Sequence, residues 1–299
     1  MLDKVVVIGV GLIGGSFALA LKQAGAVREV VGMGRSRQAL ERALALGIVD
    51  AITSSPEEAL RGASLVLIAT PVAQTGAILA ALAPFLEAGT IVTDAGSTKS
   101  DVVLAARAAL GDKLHQFVPG HPIAGRESNG PDAAIADLYA GKKTVLTPLP
   151  ENRHGDIERV ADAWRACGAA IHQLSPQQHD QVFAAVSHLP HLLAFALVDD
   201  IARKPHADLL FQYAASGFRD FTRIAGSSAE MWRDISLANR DALLGELDAY
   251  LAQLTTLRGH LAGHDGAAIE AVYANARRAR RAWTGEIEAG EPAAPRSAE

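Results

Sequence analysis

Gly120-His121-Pro122-Ile123-Ala124-Gly125-Arg126-Glu127 lies between an amino-terminal glycine fingerprint and the charged run Gly217-Phe218-Arg219-Asp220-Phe221-Thr222-Arg223-Ile224-Ala225. Together the three segments hold the parts of a redox reaction. A histidine with an ordinary pKa of about 6.5 is largely neutral near pH 7 and can take the proton of an alcohol as hydride leaves its carbon. If Asp220 and Arg223 share one helical turn, the carboxylate can orient the guanidinium, which then grips a substrate carboxylate through two parallel hydrogen bonds. A solvated helix end would account for some of the same charges. The chemistry indicated is oxidation of a small anionic alcohol.

The fingerprint supplies the hydride acceptor's site. Gly9-Val10-Gly11-Leu12-Ile13-Gly14 follows the apolar run 5–8 directly and opens a helix carrying Phe17, Leu19 and Leu21. In that setting Gly9 permits a tight turn, Gly11 lets a pyrophosphate approach the backbone, and Gly14 lets helix and strand pack closely. Thr70 and Pro71, after the run 65–69, complete the expected dinucleotide set with Gly9, Gly11, Leu12, Ile13 and Gly14. At the end of the second strand, where an acidic residue would bind a ribose 2′-hydroxyl, stand Gly34, Arg35 and Ser36. A cation and a hydroxyl beside a glycine favour the 2′-phosphate of NADP. The other reading makes Arg35 a solvated loop residue and Ser36 a helix cap, which leaves NAD open.

These residues need a frame. Short apolar runs at 5–8, 29–33, 65–69, 90–93, 116–118 and 144–147 read as buried strands, and helical patterns such as 38–46 and 101–110 separate most of them. A further helix at 155–166 leads to a last strand at 170–174. The fold class is α/β, a Rossmann-like doubly wound, mostly parallel sheet in residues 1–175. Asp94-Ala95-Gly96-Ser97-Thr98-Lys99 and His121 each follow a strand, which puts both at the carboxyl edge where such sheets bind ligands. Residues 176–285 read as an all-helical domain, with helices at 177–187, 191–202, 207–215, a long one at 229–261, and 267–283. Its many apolar faces imply packing against a second copy of the chain. The tail 286–299, rich in Gly, Pro, Ala, Ser and Glu, is expected to be disordered.

Composition narrows the classes further. The chain has 299 residues, 49% of them apolar, enough for a core and two domains, and its net charge of −5 argues against a general nucleic-acid or anionic-membrane partner. Cys167 is the only cysteine and reads as a small buried hydrophobe. With no signal-peptide layout and no apolar stretch long enough to span a bilayer, the expected location is the cytoplasm and no membrane partner is expected. His188 and His191 have metal-like spacing, but Pro190 interrupts a helix there and no third ligand accompanies them, so no metal is expected. Arg277, Arg278, Arg280 and Arg281 read as a solvated helix end.

The fingerprint with Gly15-Ser16, the segment Asp94 to Lys99, His121 to Glu127, Ser187-His188-Leu189-Pro190-His191, and Gly217 to Ala225 with Met231-Trp232-Arg233-Asp234 resemble the prephenate and arogenate dehydrogenases of tyrosine biosynthesis. The resemblance covers about residues 4 to 285 and implies oxidative decarboxylation of prephenate to 4-hydroxyphenylpyruvate, or of arogenate to tyrosine. It also implies a homodimer joined through the helical domains. By resemblance His121 and Ser97 are catalytic, with Ser97 near the reacting hydroxyl. Arg223 holds a substrate carboxylate, His191 approaches the side chain, Glu127 and Asp220 form a charged gate, and Trp232 shapes the partner subunit's pocket. Arg126 stands where relatives often have a small hydroxyl residue, adding a second cation near the substrate. The chain has no room for a fused regulatory or mutase domain, so any tyrosine inhibition is expected at the active site. Two rivals remain: another two-domain hydroxy-acid dehydrogenase, which would need a helix-borne lysine absent from 177–202, and a regulatory protein that senses NADP without turnover.

Overall fold

A computed structural model describes residues 1–126 and 128–290, with side chains as far as 285. Its centre is β1 (Leu2–Ile8), whose alternate side chains point to opposite faces. Val5 and Val7 join one apolar cluster with Phe17, Leu21 and Trp164; Val6 and Ile8 join another with Leu79, Leu82 and Val102. A strand buried on both faces needs helices on both, the doubly wound arrangement expected from its sequence. β2 (Val27–Met33), β3 (Ala51–Ile52), β4 (Leu65–Ile68), β5 (Ile91–Asp94) and β6 (Phe117–Val118) complete a parallel sheet in the order β3-β2-β1-β4-β5-β6. Strand order reverses between β1 and β4, and the glycine fingerprint lies at that switch point.

The strands expected at 144–147 and 170–174 do not extend this sheet. β7 (Gly120–Pro122), β8 (Lys143–Leu146) and β9 (Ala170–Gln173) form a second one, with β7 antiparallel and β9 parallel to β8. Pro119 has no N–H to give a ladder, so the chain leaves the first sheet there and enters the second. His121 therefore sits within a strand, paired with Val145, rather than in a free loop.

Ser175 and Gln178 form a reciprocal cap that starts the next helix, with Pro176 in its first turn. The expected break before His191 is absent. Pro176–Phe183 passes through a π-helical turn, Ala184–His188, directly into Leu189–Ala202. Pro190 falls in the first turn after the π segment, where a missing N–H is tolerated. Conversely, the single helix expected at 229–261 is two, Ala229–Ala238 and Arg240–Ala262. The break is Asn239, whose side-chain amide donates to the Asp180 carbonyl at 2.8 Å and meets His188 Nδ1 at 3.0 Å.

The run Pro176–Ala202 has a window of mean hydropathy 1.6 and is long and apolar enough to cross a membrane, contrary to the sequence-based expectation. Buried polar residues inside it, His179, Asp180 and His188, are committed to bonds with other elements of the same compact unit. That unit is Met1–Leu243, and a second is Leu244–Glu299. The first unit includes the start of the helical part, where Asp180 is tied to Lys99 and Ser100. The last helix, Gly266–Gly290, takes in 286–290 of the tail expected to be disordered, and 291–299 lie outside the described residues.

Candidate active site

The glycine loop turns at Gly9, whose φ of +94° favours glycine and where a Cβ would lie 2.6 Å from the Ala69 carbonyl oxygen. A Cβ at Gly14 would collide with the Gly9 carbonyl and lie 2.7 Å from Val7 Cγ1. At Gly11 it would meet nothing within 4 Å. Packing thus requires the first and third glycines, whereas the second faces open space at the start of a helix whose amino end has no side-chain cap. Unpaired N–H groups at such an end favour an anion. Thr70 lies beside Gly9, and its buried hydroxyl has no hydrogen-bond partner among the described residues. The cradle fits a dinucleotide's pyrophosphate. Tyr139 steadies it from behind, donating to the Ile13 carbonyl at 2.6 Å while packing on Trp164, and Ser16 Oγ accepts from Ile135 N at 3.0 Å.

At the end of β5, the Asp94 carboxylate holds three donors from two segments. Oδ2 accepts from Gly96 N at 2.8 Å and from the fully buried Lys99 ammonium, and Oδ1 accepts from Gly120 N at 3.1 Å. Ser97 is half-buried inside this loop, and Gly120 opens β7, so the carboxylate holds Ser97 and His121 on one frame. His121 is buried against Phe183, ring centroids 4.9 Å apart, and its Nδ1 lies 2.8 Å from His179 Nε2. His179 Nδ1 in turn meets Asp180 Oδ1 at 2.8 Å. Reading from sequence missed His179, Asp180, Lys99 and Asn239. Histidines recurring at 179, 188 and 191 in an otherwise apolar helical segment were the available signal.

His191 donates from Nδ1 to the Ser187 carbonyl at 2.8 Å and stacks on Trp232, centroids 3.5 Å apart and planes 18° apart. Trp232, a residue the resemblance assigns to substrate binding, is thereby placed beside His191. Arg223 is exposed at the end of helix Ser216–Thr222 and close enough to His191 for its charge to disfavour the imidazolium. Asp220 does not brace it as the spacing suggested: the cation within ion-pair distance of Asp220 among the described residues is Arg219, at 3.9 Å. Arg126 is exposed, and Glu127, the other expected gate residue, lies outside the described residues.

Burial sets the protonation of this cluster. It lowers His121 well below its ordinary value, helped by His179, Lys99 and His188, and it lowers His179 and His191 as well. His188 is brought down to about 4, burial outweighing the upward pull of Asp180 and the Ser97 backbone. In the unfolded chain histidines titrate near about 6.5, so below that pH the unfolded state binds more protons than the folded one and stability falls. The melting temperature is expected to hold above about pH 7 and to decline as pH drops from about 6.5 towards 5. A flat profile over that window would show that these rings are solvated.

Two models of the prephenate dehydrogenase family match the chain, the nucleotide-binding domain over residues 17–173 and the dimerization domain over 175–272. The chain is 39% identical over 266 residues to the cyclohexadienyl dehydrogenase of Zymomonas mobilis, covering 88% of this chain and 89% of that protein. It is similar to the structure of prephenate dehydrogenase from Aquifex aeolicus in complex with hydroxyphenyl propionate and NAD+, with TM-score 0.84 and 34% identity over 96% of this chain and 98% of that one. For the arogenate dehydrogenase of Synechocystis the TM-score is 0.78 and the identity 28%, over 94% of this chain and 99% of that one.

Proposed function

Because this chain belongs to the prephenate dehydrogenase family, we propose that His121 is the proton acceptor and Arg223 the substrate anchor in oxidative decarboxylation, with NADP as the preferred cofactor. The enzyme is a nicotinamide-dependent dehydrogenase of prephenate or arogenate, in tyrosine biosynthesis. The observation that carries the assignment of roles is the buried His121, fixed on the same carboxylate as the Ser97 loop at the carboxyl edge of the sheet.

The nicotinamide supplies the hydride acceptor. Neutral His121 takes the hydroxyl proton as hydride leaves the ring carbon, and a dienone carbonyl forms. The bond to the ring carboxylate then breaks, its electron pair flows into the dienone, carbon dioxide departs and the ring becomes aromatic. Ser97 hydrogen-bonds near the reacting hydroxyl, His191 faces the substrate side chain on its Trp232 platform, and Arg223 holds a carboxylate. The enzyme works as a dimer through its helical part, matched by the family's dimerization domain. Exposed Leu209, Tyr213 and Leu237 of the first unit, and Leu251 and Leu261 of the second, offer apolar area for such contacts.

Support for NADP comes from the end of β2. Ser36 caps the next helix, accepting from Ala39 N at 3.2 Å, as the plainer sequence reading held. Packing does not demand glycine at 34, since a Cβ there would lie 3.7 Å from Leu40, an ordinary contact. The missing carboxylate leaves space for a phosphate beside Arg35. Arg35→Ala is expected to weaken NADP about ten- to a hundredfold, the range of one charge-assisted hydrogen bond, and NAD less than about twofold. Titration with each cofactor decides it: equal losses would make Arg35 a solvated loop residue. Initial rates with prephenate and arogenate, each with NAD and with NADP, test the function itself.

A further inference from the structure

The hydrogen bonds behind His121 run in one direction only. Asp180 Oδ1 accepts from Lys99 N at 2.8 Å, and Oδ2 accepts from Ser100 N at 2.7 Å. Burial raises this carboxyl, but the bonds from His179, Ser100 and Lys99 together outweigh it and hold the group below the usual carboxylate range. An ionised carboxylate can only accept, so His179 must place its proton on Nδ1 and donate it at 2.8 Å. Burial keeps His179 neutral, and a neutral imidazole has one N–H, which leaves Nε2 of His179 as an acceptor. The ring nitrogen facing it at 2.8 Å, His121 Nδ1, must then carry a proton.

We propose that the Asp180 carboxylate, acting through His179, fixes His121 in the tautomer whose Nε2 carries the lone pair, making His179 and Asp180 positioning residues for the proton acceptor. The proposal rests on the reading of His121 given above. It explains why a buried His-His-Asp chain stands behind a single base, and why Asn239 holds the Asp180 backbone. In the opposite tautomer Nε2 would already be protonated and unable to take the hydroxyl proton. Asp180 has a second task, closing the amino end of helix Ser100–Leu110, where Lys99 offers no side-chain cap. Replacing Asp180 would therefore confound two effects, and the test belongs on His179.

His179→Leu keeps apolar volume beside Phe183 but gives His121 Nδ1 no acceptor. His179→Gln offers a carbonyl oxygen at the place of Nε2, with its amide N–H groups turned towards Asp180. In the full-length enzyme the leucine variant is expected to lose about ten- to a hundredfold in kcat with KM for prephenate and arogenate changed less than about threefold, and glutamine to recover most of it. If His179 only fills space, leucine will match or exceed glutamine, and the proposal is overturned. Nitrogen-15 spectra of histidine-labelled wild-type enzyme, with His121 assigned by loss of its signals in His121→Asn, supply a readout free of turnover. Nδ1–H on His121 supports the relay, and Nε2–H overturns it even if the leucine variant does not fold. Should His121→Asn remain active while the spectrum shows Nδ1–H, the proton-acceptor reading fails and the tautomer assignment stands.

Discussion

Replacing His121 with asparagine is expected to lower kcat at least about a hundredfold while KM for substrate and cofactor stays within about threefold. A proton acceptor acts mainly as hydride leaves, so its loss raises the barrier of the chemical step and not the free energy of the bound ground state. Water cannot readily take its place, because the ring is buried between His179 and Phe183 and its position on β7 is set by the Asp94 carboxylate. The substitution also leaves the His179 Nε2 acceptor short of a well-placed donor, at a cost of about 1–3 kcal/mol in stability. Circular dichroism and a melting curve separate that loss from the kinetic one. Near-normal turnover in a folded variant would remove His121 from the mechanism.

Arg223→Ala is expected to act on the other kinetic constant. A charge-assisted, paired contact to a carboxylate in a partly closed cleft contributes about 2–4 kcal/mol, so KM should rise about thirty- to a thousandfold with kcat much less affected. Lysine should restore little, since a point charge cannot reproduce the two parallel bonds of a guanidinium. The structure adds a reason to expect this at Arg223 in particular. Its charge reaches His191, which the Trp232 ring holds in place, so cation and imidazole can address one substrate side chain together. Asp220 pairs with Arg219 instead, so Asp220→Asn is a poor surrogate for the clamp. An unchanged KM for the alanine variant would move the anchor elsewhere, with Arg126 the next residue to replace.

Part of this site is legible in the sequence, and the residues show why. The fingerprint is local: a positive φ at Gly9 and the clash at Gly14 are consequences of one strand, one turn and one helix, so spacing alone conveys them. His121 stood out because a polar, proline-flanked segment followed an apolar strand. The π turn at Ala184–His188, by contrast, has no periodic signature that distinguishes it from a broken helix, and Pro190 read as a break. The interruption at Asn239 was invisible for a related reason. No Gly or Pro accompanies Asn239 to strengthen it as a stop, and what ends the helix is its side chain's commitment to Asp180 and His188.

By itself, then, the sequence determined the doubly wound sheet and the cradle for a dinucleotide, and it singled out His121 and Arg223 as the residues to test, because each of these signals depends on residues close together in the chain. Tertiary structure alone decided that 144–147 and 170–174 form a separate sheet and that Asp94 and Lys99 are a buried pair. It alone decided which nitrogen of His121 faces His179. That arrangement rests on a ring 58 residues away and on a carboxylate anchored on Lys99 and Ser100, contacts between distant segments that no local spacing encodes.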